Sequence, residues 1–373
     1  MNFSISKRTL LNALTIVSKA ISNAAPIPSL SGVKIDVLSE SIVLTGSDSN
    51  LSIKCTILEK DENAKLLIFE EGGVVIDARY INEIARKIDG DIITIETIDG
   101  TFMRIKGNNA EFKINGMRAS DYPVIDFTYN QETFEIDTKV FDDIVKQTGF
   151  ACSETTVVPA LTGVNLIAKD TLLTCNATNS YRLASKKINL PTAQNFNIVI
   201  PAKTLSDVVN ILNDQKTFLI SIVDKYIFFI SENTTIRARL IEDRYPDVSR
   251  LIPATFTQEL VIKSKDLLDA VDRASFIKNE GKSSVKMEIF SDRIDISSFN
   301  QEIGSSHESL SLISFKGFPF KISCNGKYLT DAIKALKSDE ITLVFSGELK
   351  PFIIKTTEDE NIVQLISPIR SYN

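Results

Sequence analysis

The 373-residue sequence is 43% hydrophobic and 24% charged, the balance of a folded chain long enough for two or three domains. Its formal net charge of −6 repels a polyanion overall, so any nucleic-acid contact has to be local. No apolar run approaches the roughly 18 residues of a membrane span, and the amphipathic start MNFSISKRTLLNAL has no signal-type stretch, so a cytoplasmic protein is expected. Cys55, Cys152, Cys175 and Cys324 lie far apart without a CxxC pair, so their spacing suggests neither a zinc site nor a disulfide framework but reduced core thiols.

In chain order the elements repeat. A strand-like piece ends in Ile, a basic residue follows three positions later and a large apolar residue five positions later. Helix-spaced apolar positions then continue. The segments are Ile5, Arg8, Leu10; Ile76, Arg79, Ile81; Ile136, Lys139, Phe141; Ile200, Lys203, Leu205; and Ile262, Lys265, Leu267. A sixth, from Ile322, fits only with two extra residues before Lys327 and Leu329. The six recur at intervals of 60 to 71 residues. Short, one-sided helices are expected behind them, as in LLNALTIVSKAI, VFDDIVKQTGFA, LSDVVNILND and LLDAVDRASFI. Alternating strands are expected between, as in DIITIETIDGTFMRIKGNNAEFKI, with Asp-Gly turns at Asp89 and Asp99.

Two units make one α+β module with two helices packed on one side of antiparallel sheets, and six units make three modules. The segments Ser120-Asp121-Tyr122-Pro123 and Asp243-Arg244-Tyr245-Pro246-Asp247 read as extended linkers, because proline disfavours continued helix or central strand. The expected domains are residues 1–120, 121–248 and 249–373. Modules that each expose sheet edges either extend into a filament or close into a ring.

The basic residues at the repeat position, Arg8, Arg79, Lys139, Lys203, Lys265 and Lys327, suggest a shared task facing outward from the helices. Contacts of this kind would meet phosphates of duplex DNA without reading sequence. Glu83, Asp142, Asp143, Asp207, Asp266 and Asp269 on the same helices dilute that field, and a solvated helix face is the competing reading.

Nothing points to catalysis. His307 is the one histidine and sits in the polar run GSSHES. Asn279-Glu280-Gly281-Lys282-Ser283 is not a phosphate loop, since Phe276 stands where that loop requires its first glycine. HExxH, GxSxG and GxGxxG are all missing, so no catalytic residue, metal or cofactor is expected. The competing classes are a repeat-built scaffold or filament protein without DNA binding and an enzyme built on dispersed carboxylates.

The repeat number, the two Tyr-Pro segments, ATNSYRLA at 177–184, QLISPIR at 364–370, RYPDVSRLIP and the opening MNFSISKRTLL together resemble the bacterial β sliding clamp family over the whole chain. That resemblance implies a non-catalytic processivity factor in which two three-domain protomers close head to tail as a homodimeric ring around duplex DNA. It implies as partners the replicative polymerase catalytic subunit, a clamp loader, and other polymerases, ligase and mismatch-repair proteins that dock through short hydrophobic peptide motifs. The resemblance places the docking cleft between the second and third domains, walled by Leu161, Thr178, Ser180, Tyr181, Arg182, Leu183, Pro246, Arg250, Leu251, Leu365, Pro368, Ile369 and Arg370. For the protomer interface it points to Phe112 and Ile114 facing Phe276 and Ile277. The chain departs from the family pattern at Asn179, where Asp is common, at Ser367, where Met or Leu is common, and at Asn23-Ala24-Ala25, where an Arg reaching DNA is common.

Overall fold

The computed structural model describes residues 1–22, 27–279 and 282–369, so the expectations attached to Asn23, Ala24, Ala25, Gly281 and Arg370 fall outside the described residues. It contains helices α1 (Lys7–Ser18), α2 (Ala78–Lys87), α3 (Thr138–Thr148), α4 (Ala202–Leu212), α5 (Ser264–Ser275) and α6 (Gly326–Leu336). Each helix has the recurring basic residue at its second position, and in all six that residue is exposed. The flanking apolar positions are what fix this. Ile5, Ile76, Ile136, Ile200 and Ile262 are buried at the strand ends, and Leu10, Ile81, Phe141, Leu205, Leu267 and Leu329 are buried one turn into the helices.

The sixth copy needs a correction. Strand Phe320–Asn325 runs directly into α6, and Cys324 fills the buried position that Ile occupies in the other five. No residues are inserted. Ile322 lies one pleat earlier and is also buried, as strand alternation requires for positions two apart, which is why it mimics the repeat Ile.

The chain divides into two compact units, Met1–Thr138 with Asp207–Leu240, and Lys139–Ser206 with Ile241–Asn373. The middle third of the sequence is therefore shared between them. In the first unit a five-stranded antiparallel sheet is ordered Leu67–Glu70, Asn2–Ser6, Ile92–Asp99, Phe102–Lys106, Glu111–Asn115. The Asp99-Gly100 step makes the expected turn, with Gly100 at φ +55°. A nine-stranded sheet joins strands from the first and middle thirds where Leu51–Leu58 pairs with Thr234–Arg239, placing Ile53 opposite Ile236. Helices α1 and α2 touch each other, α1 packing on Asn2–Ser6, Ser41–Ser47 and Leu51–Leu58 and α2 on Gly72–Asp77.

The first Tyr-Pro segment is not extended throughout as expected: it opens with a 3-10 turn over Ala119–Asp121, becomes extended at Tyr122, and it and the irregular stretch 123–130 that follows are fastened down. Tyr122 is buried, Phe127 lies under Lys54 Nζ at 5.2 Å, and the Tyr129 and Phe228 rings are 6.0 Å apart. Ser221 Oγ donates to Asn130 Oδ1 over 2.6 Å.

In the second unit a seven-stranded sheet is ordered Gly163–Thr178, Arg182–Pro201, Ile362–Ile366, Phe352–Lys355, Glu340–Phe345, Gln258–Lys263, Ser314–Lys316. A five-stranded sheet contains Lys278–Asn279, Lys282–Ile289, Arg293–Asn300 and Gly304–Ser311, with Phe320–Asn325 on the other side of Lys282–Ile289. Helices α5 and α6 lie together and bury Leu267, Val271, Leu329 and Ile333 in one core with Val285, Met287 and Ile294 of the five-stranded sheet and Leu343, Phe345 and Phe352 of the seven-stranded one.

All four cysteines are free and buried. Burial pushes the Cys55 thiol up to about 11 and those of Cys152, Cys175 and Cys324 up to about 12. Both inaccessibility and a negligible thiolate fraction at pH 8 suppress reaction. Ellman's reagent is expected to leave the folded protein unlabelled at pH 8 and to titrate four thiols after denaturation; rapid labelling of the native state would place a cysteine at the surface.

Candidate functional site

The described residues expected at the cleft all belong to the second unit. Their scaffold is the hairpin Gly163–Thr178 and Arg182–Pro201, extended by strand Ile362–Ile366. Register puts Leu183 between Thr178 on one side and Leu365 on the other. Leu183 and Leu365 are buried in a small apolar cluster with Val248, Val344 and Ile353, against which Tyr245, Ile252 and Val363 pack. Sequence reasoning missed most of that floor. Val344, Ile353 and Val363 are alternating strand positions with nothing local to distinguish them from other core residues, while Tyr245 carried a signal in its Tyr-Pro step.

The tip of the hairpin is closed by its own side chains. Thr178 Oγ1 accepts from the Ser180 N–H at 3.1 Å and donates to the Arg182 carbonyl at 2.6 Å. Asn179 Oδ1 accepts from the N–H groups of Tyr181 and Arg182 at 3.0 and 3.1 Å. These bonds hold Ser180 at φ +75°, an uncommon conformation for a residue with a Cβ. An aspartate at 179 would offer the same acceptor to both N–H groups. The amide adds a donor, used at 3.1 Å on the Tyr328 hydroxyl.

Beyond the hairpin tip, Tyr181 is 65% exposed and Ser180 is also exposed. Pro246, Arg250 and Leu251 are exposed next to buried Val248, to whose carbonyl the Leu251 N–H donates at 3.1 Å. Arg250 pairs with Asp247 at 3.6 Å on the surface, where such pairs contribute little, and hydrogen bonds from Ser249 hold the Asp247 carboxyl below its usual range. Leu161 is buried at the head of the hairpin, its carbonyl accepting from Ser153 N–H at 2.7 Å. The half-buried tail Ser367–Pro368–Ile369 runs alongside, Ser367 N–H donating to the Tyr181 carbonyl at 2.9 Å and Ile369 N–H to the Ser323 carbonyl at 2.7 Å. The structure thus gathers the hairpin tip, the second Tyr-Pro segment and the tail around one apolar floor. Arg182 differs: its side chain is 6% exposed and its guanidinium pairs with Asp331 on α6.

Each module of the repeat reappears in the family comparison. The DNA polymerase III beta subunit N-terminal domain model matches residues 1–126, the central domain model residues 135–247 and the C-terminal domain model residues 249–370. The chain belongs to the DNA polymerase III β subunit family. The beta sliding clamp of Staphylococcus epidermidis is 35% identical over 376 residues, covering all of both chains. The crystal structure of the Bacillus subtilis sliding clamp has a TM-score of 0.96, 36% identity and full coverage of both chains. A Pseudomonas aeruginosa sliding clamp bound to griselimycin, 20% identical over all of both chains, shares the fold with a TM-score of 0.92.

The remaining expected residues are spread over both units. Phe112 and Ile114 alternate as half-buried positions on Glu111–Asn115, the terminal strand of its sheet, opposite Ile105 and Met103. Phe276 caps α5 and is 80% exposed, while Ile277 turns into the core at 8%. Arg79 bonds its own cap residue Asp77 at 3.0 Å, and Lys327 pairs with Glu154 at 3.5 Å. Among the described residues no group of three or more His, Cys, Asp or Glu is placed to hold a metal ion, and no helix is long and apolar enough to cross a membrane.

Floor and rim residues are expected to separate in unfolding experiments. Leu183→Ala should cost about 2–5 kcal/mol as a cavity mutation, whereas Leu251→Ala should stay within about 0.5 kcal/mol as a surface change. Equal urea midpoints for the two variants would contradict this division.

Proposed function

We propose that the chain acts as a bacterial β sliding clamp, a non-catalytic cytoplasmic processivity factor that encircles duplex DNA as a homodimer and tethers replication and repair proteins through the cleft beside Tyr245-Pro246. The match of all three β-subunit domains in order along one chain carries this reading. In it the domains are residues 1–120, 121–248 and 249–373, the sequence modules rather than the compact units.

Ring closure is read from strand edges. Glu111–Asn115 and Gly304–Ser311 each end a five-stranded sheet, and joining one to the other between two copies satisfies both rows of backbone groups head to tail. Phe112, Ile114 and the exposed Phe276 supply the apolar contact, with Ile277 backing Phe276 from the core. On the DNA side, Arg8, Arg79, Lys139, Lys203, Lys265 and Lys327 meet phosphates. Partial pairing of Arg79 and Lys327 keeps that attraction weak, which suits a ring that must slide. Binding of this kind falls steeply with salt and ignores sequence. Retention is then topological, and loading requires a separate clamp loader. The polymerase catalytic subunit, other polymerases, ligase and mismatch-repair proteins reach the cleft by short apolar motifs, no cofactor taking part.

Sedimentation equilibrium should give twice the 41.4 kDa protomer mass, persisting on dilution. Clamps assembled on circular DNA should be lost when the circle is cut. A stable monomer, or an open-ended series of masses, would favour a filament instead, and equal retention on cut DNA would contradict the topological mechanism. In this reading griselimycin, the ligand of the Pseudomonas aeruginosa clamp, occupies the same cleft, so deleting Pro368–Asn373 should abolish binding of griselimycin and of short apolar partner peptides while leaving the dimer mass unchanged; loss of the dimer would make the tail structural.

A further inference from the structure

Arg182 is counted among the cleft walls, yet its charged end does not face the cleft. The strand residue lies opposite Ile366, and its side chain runs into the unit until it is 6% exposed. There Nη1 donates to Asp331 Oδ2 at 2.7 Å and Nη2 donates to the Phe150 carbonyl. The guanidinium lies 4.5 Å from the centroid of the Tyr328 ring and 5.1 Å from that of Phe150. Tyr328 and Asp331 are three apart on α6 and so share one face of it, and the Tyr328 hydroxyl also receives Asn179 Nδ2. A planar cation with several donors is the one side chain that can serve an acid, a carbonyl and two ring faces together.

The position of this cluster matters because of the tail. Ser367 is bonded to the hairpin tip at Tyr181, and two residues later Ile369 is bonded to Ser323, on the strand that leads into α6. The tail is therefore stretched between the same two bodies, hairpin tip and α6 segment, that Arg182 ties together from inside. We propose that Arg182 is a positioning residue whose guanidinium, anchored on Asp331, latches the hairpin tip to α6 and thereby sets the spacing of the cleft walls Tyr181, Leu183 and Ser367–Ile369. It acts on a docked partner without touching it. The proposal rests on the cleft reading.

Griselimycin is the probe, with affinity followed by calorimetric titration and folding by the thermal midpoint. Arg182→Met removes the cation and keeps most of the volume; Asp331→Asn removes the anchor from a different element with little change of shape. Both variants are expected to bind griselimycin about tenfold more weakly, within the usual span of coupling between sites, with the dimer mass unchanged. The double variant should bind no worse than Arg182→Met alone, because the two residues form one device. Weaker binding by Arg182→Met with wild-type binding by Asp331→Asn would make Arg182 a direct contact and overturn the latch. Lowered midpoints with wild-type affinity in both variants would make the cluster purely structural and overturn it as well. No binding by the wild type would overturn the cleft reading itself, a result separable from either of these.

Discussion

An unpaired strand edge exposes a row of N–H and C=O groups that must find partners, and that requirement organises the molecule. Two seams meet it across sequence modules. In the first unit Leu51–Ala238 and its neighbours through Cys55–Thr234 join the first and middle thirds; in the second, Arg182–Ile366 through Lys186–Ile362 joins the middle and last thirds. Lys186 pairs with Asp359 at one end of the second seam, and Gln364 Nε2 donates to the Gln147 carbonyl at 3.0 Å near its middle. Because main-chain bonds fix the register there, Leu183 must stand opposite Leu365, and the apolar floor follows from that single pairing.

The helices show a different balance. A cation at the second position of a helix opposes the macrodipole, which favours acids at that end. All six helices nevertheless carry one, exposed, above a large apolar residue two positions on that is buried in every copy. Core packing thus holds each helix in place while its first turn presents a charge that local energetics would not choose. Asp77 and Asn325 soften the conflict in α2 and α6 by accepting the N–H groups of Arg79 and Tyr328.

The repeat was readable in the sequence because its signal is local: a strand end, a basic residue and a buried helix position within six residues. The sixth copy is obscured because Cys324 stands at the buried position that Ile fills elsewhere, while Ile322, one pleat earlier and also buried, mimics it. The seams were not readable, since nothing near Leu51 or Arg182 encodes a partner more than a hundred residues away. For the cleft, residue types alone favour ordinary core at Leu161, Leu183 and Leu251; the first two are buried but Leu251 is 47% exposed, and only the resemblance groups the three. Asp331, Tyr328 and Phe150 around Arg182 carried no motif, and the contrast between exposed Phe276 and buried Ile277 depends on how α5 ends, which periodicity does not resolve.

The second seam also bears on how the chain is made. Leu183 leaves the ribosome long before Leu365, its strand partner. At roughly 5–20 residues per second, the hairpin Gly163–Pro201 waits on the order of 10 to 35 s with one edge unpaired. Newly synthesised protein therefore passes through an interval in which a finished hairpin is open to strand exchange with a neighbouring nascent chain. Neighbouring ribosomes on one message are the natural setting for that hazard, and the arrival of Ile362–Ile366 is what ends it.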